Sequence, residues 1–239
     1  MNPQLKPQPL TAEATLDSRV MFAFAHDLRT HLRTVMTRIQ LVQRAGTSAL
    51  SDGDQSLLHE AETAAAQMED LLAAMVDYNE AGSPSQAPGQ QVARLPLLLR
   101  GVVMECRNLL LAASADVHVQ NELDVQVPAE LQRVLKELLV NASKFRNPAR
   151  PLRIEITTRR EGELLTITVA DNGIGVAPEY VERIFAPFQR LHGRDEYPGH
   201  GLGLATCRRL VERSGGSITA HPETPDRFLV TITLPLQNG

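Results

Sequence analysis

Three groups of residues in the C-terminal two-thirds of the sequence have types and spacings that could support chemistry. Glu137 and Asn141 are four apart, and Lys144 is three further on. In a helix those offsets put all three side chains on one face. A carboxylate, an amide oxygen and an ammonium side by side suit a magnesium-bound nucleotide, because magnesium takes hard oxygen ligands and phosphates attract a cation. The same trio would serve as well for a solvated polar helix face. The second group, Val169-Ala170-Asp171-Asn172-Gly173-Ile174-Gly175, ends an apolar run. A carboxylate at a strand end can accept a hydrogen bond from an exocyclic amine such as that of adenine, and the glycines let the backbone pass close to a flat base. An ordinary Asp-Asn-Gly turn would look the same. The third group, Gly199-His200-Gly201-Leu202-Gly203, opens a helical pattern. Glycines at a helix N-terminus can bring backbone N–H groups and positive potential onto phosphate oxygens. The stretch 189–198 before it carries Arg190, His192 and Arg194 and reads as a cover over a polyphosphate.

A fourth candidate lies near the N-terminus, in Phe24-Ala25-His26-Asp27-Leu28-Arg29-Thr30. His26 sits beside an apolar seam and can face solvent, Asp27 follows it, and Thr30 lies one helical turn on. A single helical histidine is more often structural than chemical. His31, a second histidine in the segment, points well away from His26 on the helical wheel.

These residues need elements to hold them. Residues 12–80 carry a heptad pattern: Met21, Ala25, Leu28, Leu32, Val35, Ile39 and Val42, then, after a break at 45–55, Leu57, Ala61, Ala64, Met68, Leu71, Met75 and Tyr78. This predicts two helices in an antiparallel hairpin. A lone hairpin has little to bury against, so two copies are expected to form a four-helix bundle as a homodimer; an alternative is packing on the second domain. Residues 81–91, rich in Gly, Pro, Ser and Gln, read as a linker, giving a hairpin over 1–82, a linker over 83–91 and a second domain over 92–239. In that domain the pattern predicts helices at 96–113, 128–145, 178–185 and 202–214. It predicts strands at 117–120, 125–127, 152–159, 164–170, 217–220 and 228–234. The expected fold is an α/β sandwich, one mixed sheet with helices on one face.

Composition narrows the function classes. Hydrophobic residues make up 43%, enough to build cores, and the net charge of −4 argues against a nucleic-acid-binding face. Cys106 and Cys207 fit neither a disulfide framework nor a zinc site and read as buried thiols. No apolar run approaches the ~20 residues of a membrane span, and the polar, Pro-rich start is unlike a signal peptide, so a cytoplasmic location is expected.

The order of the motifs adds a resemblance. Asp171 follows Asn141 by 30 residues, and Gly201 follows Asp171 by another 30. Over nearly all of 91–239 the sequence resembles the GHKL-type ATP-binding domain of sensor histidine kinases. Glu137 to Asn141 resembles its N box, Asp171-Asn172-Gly173-Ile174-Gly175 its G1 box, Phe185-Ala186-Pro187-Phe188 its F box, and the segment from Gly199 to Gly203 its G2 box. Phe188-Gln189-Arg190-Leu191-His192 is most similar to the phytochrome-type subfamily. The segment from His26 to Thr30 resembles the H box of the dimerisation and phosphoacceptor hairpin.

The resemblance implies ATP and Mg²⁺ as cofactors. They would be bound by Asn141, Lys144, Asp171, Gly173, Gly175, Phe188, Arg190, His192, Gly199, Gly201, Leu202 and Gly203, with Asn141 and Glu137 on the metal side. It implies a catalytic set of His26, Asp27, Thr30 and Glu137: autophosphorylation of His26, phosphoryl transfer to an aspartate on a response regulator, and a phosphatase activity through Thr30. The sequence departs from the family's pattern at His31, where proline is common, and at His200, where a small hydroxyl residue is commoner. A third expected departure is the lack of a sensor module ahead of the hairpin, either because the chain is truncated or because it takes its signal from another protein. Rival readings are a phosphotransferase or pseudokinase without ATP turnover, a GHKL ATPase, and a dimerisation scaffold.

Overall fold

The computed structural model describes residues 12–44, 51–83, 91–191, 193, 196–197, 199–224 and 227–236, with side chains of the first helix from Leu28 onward. The chain divides into two compact units, Met1–Ser83 and Pro84–Gly239.

The first unit pairs two long helices, α1 (Ala12–Arg44) and α2 (Asp52–Gly82). Helix α2 starts at a capping box: the Ser51 hydroxyl accepts from the Asp54 N–H at 3.2 Å, and the Ser51 N–H donates to the Asp54 carboxylate at 3.2 Å. Two otherwise unpaired donors are satisfied reciprocally there. Leu32, Ala65 and Leu72 form the core between the helices, flanked by Leu28, Met36 and Val76. The expected seam is corrected in part. On α1, Leu32 and Ile39 are buried, while Val35 and Val42 are 49% and 46% exposed. On α2 the buried positions are Ala65 and Leu72, one residue beyond Ala64 and Leu71, together with Ala81 near the helix end, and Leu57 and Met68 remain exposed. The apolar stripe on each helix is wider than one helix–helix seam, so pairing with a single neighbour buries only one edge of it.

The second unit places a five-stranded sheet beneath a layer of helices. In chain order it runs β1 (Val92–Arg94), α3 (Leu95–Glu105), α4 (Arg107–Ala112), β2 (Asp116–Gln120), β3 (Gln126–Pro128) and α5 (Leu131–Lys144). It continues through β4 (Arg153–Glu161), β5 (Leu164–Asp171), α6 (Gly203–Arg213), β6 (Ser217–Thr224) and β7 (Arg227–Pro235). The sheet order is β2-β4-β5-β7-β6, and β1 pairs separately with β3. Strands β2 and β4 are parallel and the other pairs antiparallel, so the sheet is mixed as expected.

Side chains alternate across the pleat. Ile154, Ile156, Leu165, Ile167, Val230 and Ile232 are buried on one face, whereas Thr157, Thr166, Thr168, Thr231 and Thr233 on the other are half-buried. Helices α3, α5 and α6 pack on one another and bury Leu99, Val102, Leu135, Leu139 and Leu210. Both cysteines are buried free thiols, and burial pushes both of them up from the ordinary thiol value, so neither is poised as a nucleophile.

Two helices differ from the sequence pattern. The stretch 96–113 is broken at Cys106, which lets both pieces turn apolar side chains inward: Leu99 and Val102 from α3, Leu110 from α4. The expected helix at 178–185 is two single 3₁₀ turns, Pro178–Tyr180 and Arg183–Phe185. With only Phe185 buried among them, the segment lacks the packed apolar face that sustains a longer helix. Strand β1 spans three residues, too few for a period to register in the sequence. Among the described residues no helix is long and apolar enough to cross a membrane.

Ile167 is fully buried at the centre of the sheet. Ile167→Ala is expected to destabilise the chain by about 2–5 kcal/mol, the range for a large core truncation; a denaturant titration checks this.

Candidate active site

One cavity draws the separated sequence groups together. Helix α5 contributes Glu137, Asn141 and Lys144 to its lining, the end of β5 gives Asp171 with Gly175 just beyond, and Arg190, Gly199, Gly201 and Gly203 complete the polar side. Leu138, Val169, Ile174, Val176, Phe228 and Val230 form an apolar wall. The cavity is thus apolar near Asp171 and charged near Lys144 and Arg190.

The α5 face is ordered by its own contacts. The Asn141 amide nitrogen donates to Glu137 Oε1 at 3.4 Å, which turns the amide oxygen the other way. Burial pushes the Glu137 carboxyl up from its ordinary value, with Lys144 and Asn141 pulling it back. Glu137 also fixes what can stand opposite it. A Cβ built on Gly203 would lie 1.9 Å from Glu137 Oε1, so the Glu137 side chain lies against the bare first turn of α6 and would have to shift if residue 203 carried a side chain.

Lys144 and Arg190 face the same cavity. Burial lowers the Lys144 pKa, the like charge of Arg190 lowers it further, and Glu137 opposes both. The Lys144 ammonium lies 4.7 Å from the centre of the Phe145 ring. Arg190 Nη2 donates to the carbonyls of Gly193 and Tyr197 at 3.0 and 2.6 Å, and its Nη1 is buried with no hydrogen-bond partner among the described residues. Two mutually repelling cations, one with an unsatisfied donor, favour an anion between them.

Asp171 is the last residue of β5, in register with Ile154 and Phe228, so its side chain falls on the buried face. Its Oδ1 accepts from the Gly173 N–H at 2.8 Å. Burial pushes the carboxyl up, and that bond pulls it back. With one oxygen engaged and an apolar wall beside it, the carboxylate can accept from an amine on a flat ring.

Not every expected site residue lines the cavity. Gly173 lies behind Asp171, where a Cβ would stand 2.5 Å from the Phe145 carbonyl oxygen. Leu202 is buried, and its carbonyl accepts from the N–H and hydroxyl of Thr206. Phe188 is 53% exposed, at φ 62°, with its N–H donating to the Gly201 carbonyl at 2.8 Å. Its contact is with the glycine segment through its backbone, rather than with the cavity through its ring. His192 and Arg194 lie outside the described residues. In the first unit, His26 and Asp27 fall within α1 and their side chains lie outside the described residues; Thr30 is exposed.

Other lining residues were not singled out in the sequence as ligands. Phe145 and Tyr197 form an aromatic pair, ring centres 4.9 Å apart, and His200 stands between the two glycines. The signal for Phe145 was its place directly after Lys144 at the helix end. Tyr197 had none, because only the folded segment brings it to α5.

Comparison with known proteins agrees with this geometry. Residues 126–238 match the model of the histidine kinase-, DNA gyrase B-, and HSP90-like ATPase family. The chain is 28% identical over 215 residues to the phytochrome-like protein Cph1 of Synechocystis, covering 90% of this chain and 28% of that protein. It is 27% identical over 252 residues to the sensor histidine kinase RcsC of Escherichia coli, covering 99% of this chain and 25% of that protein. It therefore spans about a quarter of the length of these relatives. Among solved structures, full-length ShkA in complex with AMPPNP superposes with a TM-score of 0.70 at 20% identity, over 93% of this chain and 46% of that one. The catalytic domain of the histidine kinase ThkA gives 0.54 at 22% identity, over 61% of this chain and 95% of that one. Residues 126–238 thus match the histidine kinase-, DNA gyrase B-, and HSP90-like ATPase family, and over most of its length the chain is similar to proteins named as phytochrome-like proteins and sensor histidine kinases.

Proposed function

We propose that this chain is the kinase core of a two-component system: the second unit binds ATP and passes its γ-phosphoryl group to His26, from which it moves to an aspartate of a response regulator. The observation that carries this reading is the convergence of Asn141, Lys144, Asp171 and Arg190 on one cavity with the glycines of 199–203. The relationship to the sensor histidine kinase RcsC and the likeness to ShkA, whose structure holds AMPPNP, support it.

In this reading the apolar wall takes the adenine ring and Asp171 accepts from its exocyclic amine. Lys144, Arg190 and the amides around Gly201 and Gly203 offset the phosphate charge. The oxygens of Asn141 and Glu137 would hold Mg²⁺. No cluster of three His, Cys, Asp or Glu side chains suited to a metal occurs among the described residues. One or two side-chain oxygens with phosphates and waters is how magnesium is commonly held. Bound there, it would supply positive charge to the phosphate oxygens.

Phosphoryl transfer depends mainly on positioning and charge stabilisation. A neutral His26 ring nitrogen forms the N–P bond as the bond from the γ-phosphorus to the bridging oxygen breaks, and ADP leaves. Asp27 or Glu137 orients or takes the proton of the other ring nitrogen. In a separate phosphatase reaction Thr30 positions a water that attacks the phosphorus of the regulator's phospho-aspartate, breaking the acyl-phosphate bond and releasing aspartate and inorganic phosphate. The exposed Val35, Val42, Leu57 and Met68 beside the buried hairpin seam suit a second copy, giving a four-helix homodimer. The reaction belongs in the cytoplasm, where ATP and regulators are found.

Incubation with γ-labelled ATP and Mg²⁺ tests this. The expected product is acid-labile, alkali-stable labelled protein, absent in His26→Ala. Hydrolysis without labelled protein points to an ATPase, and label lost only in His31→Ala moves the acceptor.

The elevated Glu137 carboxyl gives a second test. The folded state binds that proton more tightly than the unfolded state, so its stabilising contribution is present below the ordinary value of 4.5 and lost as pH rises through the folded value. Glu137→Gln is expected to raise Tm at pH 7.5 by about 2–4 °C, the shift that about 1 kcal/mol gives at this size. The gain should shrink as pH falls toward 4.5; a melting series across that range checks it.

A further inference from the structure

Arg150 lies outside the cavity, on the connection between α5 and β4, and is half-buried. Its guanidinium forks onto two consecutive backbone carbonyls: Nε donates to Asn172 O at 2.9 Å and Nη2 to Gly173 O at 3.1 Å. The opposite ends of the same two peptide units are also engaged. The Gly173 N–H, in one unit with the Asn172 carbonyl, donates to Asp171 Oδ1 at 2.8 Å. The Ile174 N–H, in one unit with the Gly173 carbonyl, donates to Phe145 O at 2.9 Å.

A trans peptide is planar, with its oxygen and hydrogen on opposite sides. A charged donor on the oxygen therefore fixes where the hydrogen points. It also polarises the unit, strengthening the N–H as a donor. We propose that Arg150 is the positioning residue for base recognition: acting through the Asn172–Gly173 peptide, it holds the Asp171 carboxylate in the rotamer that receives the amine of an adenine nucleotide.

The fork matters as much as the charge. Arginine reaches two carbonyls with a planar, pre-organised donor set, whereas a lysine ammonium is a point donor on a flexible stem. The neighbouring groups leave Arg150 a specific share of the work. Asn172 is tied separately, its Oδ1 accepting from Arg153 N at 2.7 Å and its Nδ2 donating to Pro151 O at 2.9 Å. Those bonds anchor the Asn172 side chain to the start of β4, but the 172–173 and 173–174 peptide planes are set by Arg150 on one side and by Asp171 and Phe145 on the other.

This inference rests on the nucleotide reading of the cavity, and its test separates the two. The affinities of the full chain for ATP and inosine triphosphate are measured by calorimetry for wild type, Arg150→Ala, Arg150→Lys, Asp171→Asn and the Arg150→Ala/Asp171→Asn double variant. Inosine carries a carbonyl where adenine carries the amine. Arg150→Ala is expected to weaken ATP about tenfold, equal to about 1.4 kcal/mol, and to leave inosine triphosphate nearly unchanged. Arg150→Lys should restore part of the ATP preference, and it carries the comparison if the alanine variant does not fold. In the Asp171→Asn background, Arg150→Ala should cost little more, because residues acting through one contact are not additive. Equal losses for the two nucleotides, or no loss, with binding intact in wild type, would overturn the role of Arg150 alone. Wild type that binds neither nucleotide would overturn the nucleotide reading and this inference with it.

Discussion

The bond from the Ile174 N–H to the Phe145 carbonyl, 2.9 Å long, joins the loop after β5 to the residue that caps α5. Helix α5 brings Glu137, Asn141 and Lys144; strand β5 brings Asp171. Without this tie the two groups would belong to separate elements with independent positions. The approach is close enough that Gly173 has no room for a Cβ beside Phe145 O. A backbone bond between two element ends is thus what makes one cavity from two motifs.

The second approach, of α6 to α5, is set the same way. Gly203 admits the Glu137 carboxylate against the first turn of α6, and the Thr206 hydroxyl donates back to the Leu202 carbonyl within that turn. Cys207 and Leu210, on the buried side of α6, hold the helix against its neighbours. Apolar packing fixes where α6 lies, and the missing Cβ at Gly203 makes room for the Glu137 carboxylate at its polar end. The charges follow from that closeness: carboxylates raised by burial and a lysine lowered by burial and by Arg190.

Strand register decides the rest. Pairing Asp171 with Ile154 and Phe228 sends its side chain to the helix-covered face, and a slip of one residue would send it to the threonine face instead. The alternating apolar side chains of β4, β5 and β7 specify that register by burial. The hydrophobic pattern that builds the core therefore also aims the carboxylate.

Much of this was legible in the sequence. The 3.6-residue period of α5 already put Glu137, Asn141 and Lys144 on one face, and the period-two run ending at Asp171 marked a strand end, because both are local consequences of backbone geometry. What the sequence could not supply was distance between residues far apart along the chain. That Arg150 grips the carbonyls of Asn172 and Gly173, that Tyr197 meets Phe145, and that Phe188 turns its ring outward depend on how loops close over the sheet. The register of α2 against α1 was also beyond it, since a wide apolar stripe permits neighbouring seams and only side-chain packing selects one. Sequence determined which faces each element offers; tertiary structure decided which of them meet, because contact between distant segments is fixed by packing and loop closure rather than by local periodicity.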